Sequence, residues 1–257
     1  MNMHRLNRWL LALTFFLAAA ISSQAENGKP ATAPVTIRFH CLSMNASSID
    51  GLSFMNGKTE VPLIVPTEFL SPTYDYVGPA KLVFLRKVPL PPAGTKMPPS
   101  EYPPGREPAG TIEFSPETDE VLLLFNRSND TTAIAAIDYT EKSVPVNGYL
   151  FWNLSNRPLM VSLGAAQCII PSGQRQVITL KESDSYMALR IFDVHLNQAR
   201  QVFASRTLHH PKTRQLIFLA DSADNPDRLA LRMVSQNFFL PKPKDLKPAN
   251  TVAATTR

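Results

Sequence analysis

The histidines and the clustered acids are the side chains best equipped for bond-making chemistry in this sequence. Asp193-Val-His195 would set a carboxylate and an imidazole on one face of a strand, because residues i and i+2 point the same way. His209-His210 follows a strand later. A metal site needs a third ligand converging on the same point. The spacing shows none, so the expectation is polar residues on a solvent face and at a turn. Glu117, Asp119 and Glu120 form one acid cluster, and Asp221, Asp224 and Asp227 another. A glycosidase needs two carboxyls across a cleft at a set separation, whereas both clusters fall where solvated turns are expected. The Asp221–Asp227 stretch matches no standard calcium loop. No Gly-x-Ser-x-Gly elbow, His-Glu-x-x-His helix, paired Cys-x-x-Cys or glycine-rich phosphate loop occurs in the chain. The expectation is therefore no catalytic residue, no metal and no cofactor.

Binding side chains are easier to nominate. Tyr74 and Tyr76 share one strand face, Tyr102 follows in a proline-rich stretch, and Trp152 sits in a later apolar run. Exposed aromatic rings would stack on a sugar or a peptide at little entropic cost. The competing expectation is that the paired tyrosines are core residues of an edge strand. Cys41 and Cys168 each fall on an apolar strand face. After export the two could oxidise to one disulfide, but a bridge needs Cα atoms within about 7 Å across two cores, so two separate buried thiols are the favoured expectation. Asn45, Asn126, Asn129 and Asn153 head Asn-x-Ser/Thr sequons, which carry glycans only along a eukaryotic secretory route.

The ends of the chain hold its charge and its address. Of 257 residues, the formal net charge is +5. Arg5 and Arg8 in front, and Lys242, Lys244, Lys247 and Arg257 against Asp245 behind, account for all of it, leaving residues 26–240 formally neutral. A nucleic-acid partner is thus not expected, since that function wants a basic patch on the folded body. Arg5 and Arg8 precede an apolar run from Trp9 to Ile21, and Ser23-Gln24-Ala25 supplies small residues for cleavage after Ala25. This pattern is that of a secretory signal peptide over residues 1–25. The run is shorter than the roughly 20 residues of a membrane-spanning helix, so no transmembrane span is expected in the mature chain. The expected location is export, to the periplasm, cell surface or extracellular space. Residues 241–257, rich in proline and lysine, read as a disordered basic tail.

Between these ends the chain reads as short strands. In Val35–Ser43, Val35, Ile37, Phe39 and Cys41 alternate with Thr36, Arg38 and His40. Asn56-Gly57 between two such runs is a strong hairpin signal. Further runs recur at about ten-residue spacing, broken by Pro, Gly, Asn, Asp and Ser. His195–Leu208 also fits a helix face, through Leu196, Ala199 and Phe203, but most of it is assigned to strand. The expected fold is all-β, as two tandem immunoglobulin-like β-sandwich domains over 34–140 and 144–240. Val88–Pro108 carries eight prolines. It is expected to be a loop inside the first domain, because a domain ending at residue 87 would have a marginal core. Two echoes hint at duplication: Phe39–Ser43 with Phe151–Ser155, and Leu82–Leu85 with Leu216–Leu219.

Phe39–Ser43, Leu70–Gly78, Val121–Phe125 and Val144–Ser155 together resemble secreted proteins of verrucomicrobial bacteria that have no characterised activity. Phe151–Leu180, with Pro171-Ser-Gly173 before its last strand, is also similar to small immunoglobulin-like envelope domains. The resemblance implies a sandwich fold and export, and transfers no site residue. Three functions follow in order. The first is a non-catalytic exported protein acting through contacts with an envelope or extracellular protein partner. The second is a carbohydrate- or peptide-binding module using Tyr74, Tyr76, Tyr102 and Trp152, with a glycan as ligand. The third is a hydrolase of unfamiliar type.

Overall fold

The computed structural model describes residues 34–90, 101–128, 131–181, 185–195, 198–225 and 228–238. The expected leader and basic tail lie outside these residues. The described chain is all-β, with no helix among the described residues. Its strands run β1 (Val35–Ser43), β2 (Leu52–Asn56), β3 (Thr59–Pro62), β4 (Tyr74–Gly78), β5 (Lys81–Lys87), β6 (Arg106–Glu113), β7 (Glu120–Ser128) and β8 (Thr131–Asp138). The second half continues with β9 (Gly148–Asn153), β10 (Leu159–Leu163), β11 (Ala166–Ile170), β12 (Arg175–Thr179), β13 (Ser185–His195), β14 (Gln198–His209), β15 (Thr213–Asp221) and β16 (Leu229–Asn237). The described residues from His195 to Leu208 are thus strand, their apolar spacing notwithstanding.

These strands form four sheets of four. Sheet I is β4-β1-β7-β8 and sheet II is β3-β2-β5-β6. Sheet III is β12-β9-β15-β16 and sheet IV is β11-β10-β13-β14. Adding eight to each strand number in sheets I and II reproduces sheets III and IV, so the two halves share one topology. The repeat extends to detail. β1 pairs parallel to β7, and β9 pairs parallel to β15. A register shift interrupts β5/β6 between Phe84 and Leu85, and the equivalent pair β13/β14 between Ile191 and Phe192. Phe39–Ser43 and Phe151–Ser155 are equivalent in this repeat. Leu82–Leu85 and Leu216–Leu219 are not, because the counterpart of β15 is β7. Constant-type immunoglobulin sheets run ABED and CFG. The orders 4-1-7-8 and 3-2-5-6 differ from these, which narrows the expected fold to two-layered β-structure with its own strand order.

Alternating side chains decide how the sheets stack. Phe39, Cys41, Leu123 and Phe125 of sheet I meet Phe54 and Phe84 of sheet II in one core. Phe151, Ile217 and Leu219 of sheet III meet Val161, Leu189 and Ile191 of sheet IV in a second. The opposite faces of sheets I and III also meet. Leu42, Leu122, Leu124 and Ile137 pack with Leu150, Leu216, Phe218 and Val234 in a third cluster. Leu122 and Phe218 occupy equivalent places in the repeat, so each half offers the same face to the seam, as subunits do in a two-fold dimer. The layers therefore follow the order II, I, III, IV.

Polar groups punctuate this seam. Arg214, only 3% exposed, donates to the Tyr139 carbonyl at 3.1 Å and to Glu141 at 2.5 Å. His40 donates from Nδ1 to the Ser71 carbonyl at 2.9 Å, and its Nε2 lies 3.4 Å from both Thr73 Oγ1 and Gln236 Nε2. The carbonyl fixes the tautomer, since it can only accept. Burial lowers the pKa of His40, against the opposing pull of the Ser71 bond and Glu120.

The proline-rich stretch joins β5 to β6, neighbours in sheet II. Its last residues are strand: Pro108, expected in the loop, lies within β6. β6 is an edge strand and Pro108 adjoins the register shift, the two settings in which a missing N–H costs no ladder bond. At the expected hairpin, Gly57 and Lys58 make the loop and Gly57 takes φ 62°. A positive φ at the first loop position suits a residue without Cβ.

Candidate partner-binding site

The nominated aromatics do not form a platform. Tyr76 is 2% exposed and packs on Phe54 and Phe114, while its hydroxyl donates to the Pro79 carbonyl at 2.9 Å. Tyr74 stacks on Phe39 with ring centroids 5.3 Å apart, and its hydroxyl accepts from the Ile64 N–H at 2.8 Å. Both rings face the first core, because β4 turns its apolar alternation inward against β2. Trp152 faces the seam beside Phe218, with centroids 6.2 Å apart, and its indole N–H points at the Gly173 carbonyl at 3.3 Å. Tyr102 is half-buried and precedes β6 in the first half. Tyr74 and Tyr76 thus sit together at the first core, whereas Trp152 lies at the seam and Tyr102 before β6, so the structure does not bring the four onto one surface.

The chemistry-bearing residues are also committed. Asp193 is ion-paired with Arg157 at 3.0 Å. His209 is buried and shares a hydrogen bond of 3.0 Å with the Tyr149 hydroxyl. The side chain of His195 lies outside the described residues. Glu117 and Asp119 line a cavity of about 360 Å³ with Glu113 and Asp138. Burial acts to raise the Asp138 pKa, but hydrogen bonds from Ser143 and Thr140 prevail and hold it below the usual range. A general acid needs the opposite shift. Cys41 and Cys168 are free thiols in different cores. Asn153 is fully buried and its amide donates to the Arg157 and Ile170 carbonyls, which leaves no nitrogen for a glycan.

What remains is a surface that sequence reading did not single out. Across the outer face of sheet IV, register aligns Ile169 with Met160 and Met160 with Phe192. Ile169 is 59% exposed and Tyr186 is 64% exposed. The Arg206 guanidinium lies 4.6 Å from the Tyr186 ring centre, and Arg190 is exposed on the neighbouring pair of rows. Among the described residues, no acid points outward from this face. Aromatic, Met and Arg side chains are those enriched at protein interfaces. Sheet II, its counterpart, instead carries the Arg106–Glu60 ion pair, at 2.6 Å, across its outer face.

No family model matches the chain, and no curated protein matches it.

The repeat exposes a second difference beside the same sheet. In the first half, β6 and β8 approach each other and close that side of the two-layered unit. Gly110 permits this, since a Cβ there would lie 2.6 Å from the Thr132 carbonyl oxygen. The residue equivalent to Gly110, counted from the register shift, is Phe203. Its ring packs toward the second core, and among the described residues β14 and β16 make no comparable approach. The second half closes on its other side, between β11 and β12. Val202 and Phe203 on β14, with Leu229, Leu231 and Met233 on β16, are left half-buried along the open side.

Proposed function

We propose that this is an exported, non-catalytic protein that works through protein–protein contacts in the envelope or extracellular space. Its body comprises two tandem sandwich modules, immunoglobulin-like in size and two-layered build, each with its own strand order. The observation that carries this reading is the outer face of sheet IV. It combines exposed Ile169 and Tyr186 with Arg190 and Arg206, whereas on the equivalent sheet II the Arg106–Glu60 ion pair crosses the outer face. A repeated unit with an ion pair across one outer face and apolar groups on the other has reason to cover the second. Export is supported by the leader-like first 25 residues.

The test uses the chain in its native envelope, with a photo-reactive residue at Tyr186 or, as control, at Lys58 on the opposite half. A defined protein adduct through position 186, absent through position 58 and lost on adding Arg190→Glu, is the expected result. Equal labelling at both positions would end the proposal. N-terminal sequencing of the processed protein should begin at Glu26, and an intact Trp9–Ile21 run would remove the export component.

A further inference from the structure

We infer that the open side between β14 and β16 accepts an extended segment of a partner protein as an added strand. This rests on the protein-contact reading above and specifies its chemistry. Two features of the gap call for a strand. Each flanking element is an edge: β14 ends sheet IV and β16 ends sheet III. An edge presents a row of unpaired N–H and C=O groups, to which an extended chain adds by main-chain hydrogen bonds. The other half also shows what a filled side looks like, because there β8 lies against β6.

The lining dictates the occupant. Val202, Phe203, Leu231 and Met233 turn apolar groups to the inside of the gap. On the outside, Arg206 lies on β14 and Arg190 on β13, with no acid beside them among the described residues. An incoming strand alternates its side chains between these two environments. It must therefore carry apolar residues on alternate positions and carboxylates between them. The chain's own ends do not meet this pattern. After Phe238 come Pro241, Pro243 and Pro248, which cannot donate along a ladder, and the only charges nearby are lysines and one aspartate. Residues 26–33 contain no large apolar side chain. A second copy would bring arginine against arginine.

The experiment measures amide hydrogen exchange in the processed chain, with and without a nine-residue peptide alternating Glu and Val, capped at both ends. Segments 198–209 and 229–237 report the two edges. The expected result is slowed exchange in one or both, by about ten-fold or more at saturating peptide. Replacing every Glu of the peptide by Lys, or introducing Arg206→Glu, should weaken binding by about ten-fold. Unchanged exchange in both segments with several millimolar peptide would overturn the strand proposal, as would equal binding of the Lys peptide. Protection confined to β10 and β11 would likewise refute strand addition while leaving sheet IV as a contact face. Light scattering in the same samples reports the remaining alternative, because a mass doubled by peptide would mean that copies of this chain are being joined instead. If neither exchange nor Tyr186 photo-labelling responds, the functional reading fails together with its refinement.

Discussion

Gly110→Ala tests the asymmetry on which the open side depends. The added Cβ would meet the Thr132 carbonyl oxygen at 2.6 Å and Ile134 Cδ1 at 2.9 Å. A carbon and an oxygen rest at about 3.3 Å or more even in the closest favourable contacts, so β6 and β8 must part by several tenths of an ångström. That oxygen is backbone and cannot swing aside as a side chain would. Overpacking of this kind costs about 1–3 kcal/mol, and 2 kcal/mol is a fair central figure. Thermal unfolding followed by circular dichroism then reads out more than the cost. If the halves melt as one unit of about 200 residues, Tm should fall by about 4–8 °C. If the first half melts alone, the same cost in about 100 residues should lower its transition by about 8–16 °C. The seam between sheets I and III favours the single transition. A shift under 1 °C, with unchanged exchange in 106–113, would refute the close approach of β6 and β8 and with it the reasoning about Phe203.

Three further outcomes are expected. Leu122→Ala should cost about 3 kcal/mol by urea titration, although Leu122 lies in neither sandwich core, because it is fully buried in the seam; a cost below 1 kcal/mol would mean that the halves are not packed together. Stability should fall as pH drops below about 6.5, because the folded pKa of His40 is lowered, the unfolded chain takes up its proton first, and the neutral ring between Ser71, Thr73, Gln236, Tyr139, Glu120, Arg214 and Arg38 is then lost. His40→Gln should flatten that slope, and an unaltered slope would assign it to other groups. Thiol reagents should modify both cysteines in denaturant without reductant, whereas in the native protein Cys41 should react far more slowly than Cys168, since burial excludes reagent and pushes its thiol pKa upward; complete protection in denaturant would point to a disulfide.

Much of the fold was legible because a half-buried strand writes its burial into alternation. Residues 35–39 and Leu159–Leu163 show this directly. β6 was missed for an identifiable reason. Proline normally argues against a strand, and the exemption for an edge position beside a register shift appears only once the partner strand is known. The tyrosines show a related limit. Alternation places Tyr74 and Tyr76 on one face but does not say which face the neighbouring sheet covers. The repeat was half visible: Phe39–Ser43 and Phe151–Ser155 share Phe, Leu and Ser at matched positions, whereas β7 and β15 match only as apolar runs, so Leu82–Leu85 served equally well as a false partner. The open side was illegible altogether, since it follows from Gly110 and Phe203 being equivalent, and that equivalence is set by pairing register rather than by sequence.

The parallel pairing of β1 with β7, and of β9 with β15, bears on how the chain acquires its shape. In each half the first strand sits between β4 or β12 and a strand reached only near the end of that half. Such contacts join residues 82 positions apart in the first half, as in Arg38 with Glu120, and 66 apart in the second, as in Tyr149 with Gln215. Closing so long a loop loses entropy before any reward arrives, which slows folding relative to local hairpins. Hairpins such as β2–β3 and β10–β11 can form at once, while β1 must wait with one edge bare until β7 is delivered. A chain emerging N-terminus first is therefore obliged to linger as a partly zipped intermediate, twice over, and its exposure to aggregation is greatest just before residues 120–128 and again before 213–221 become available.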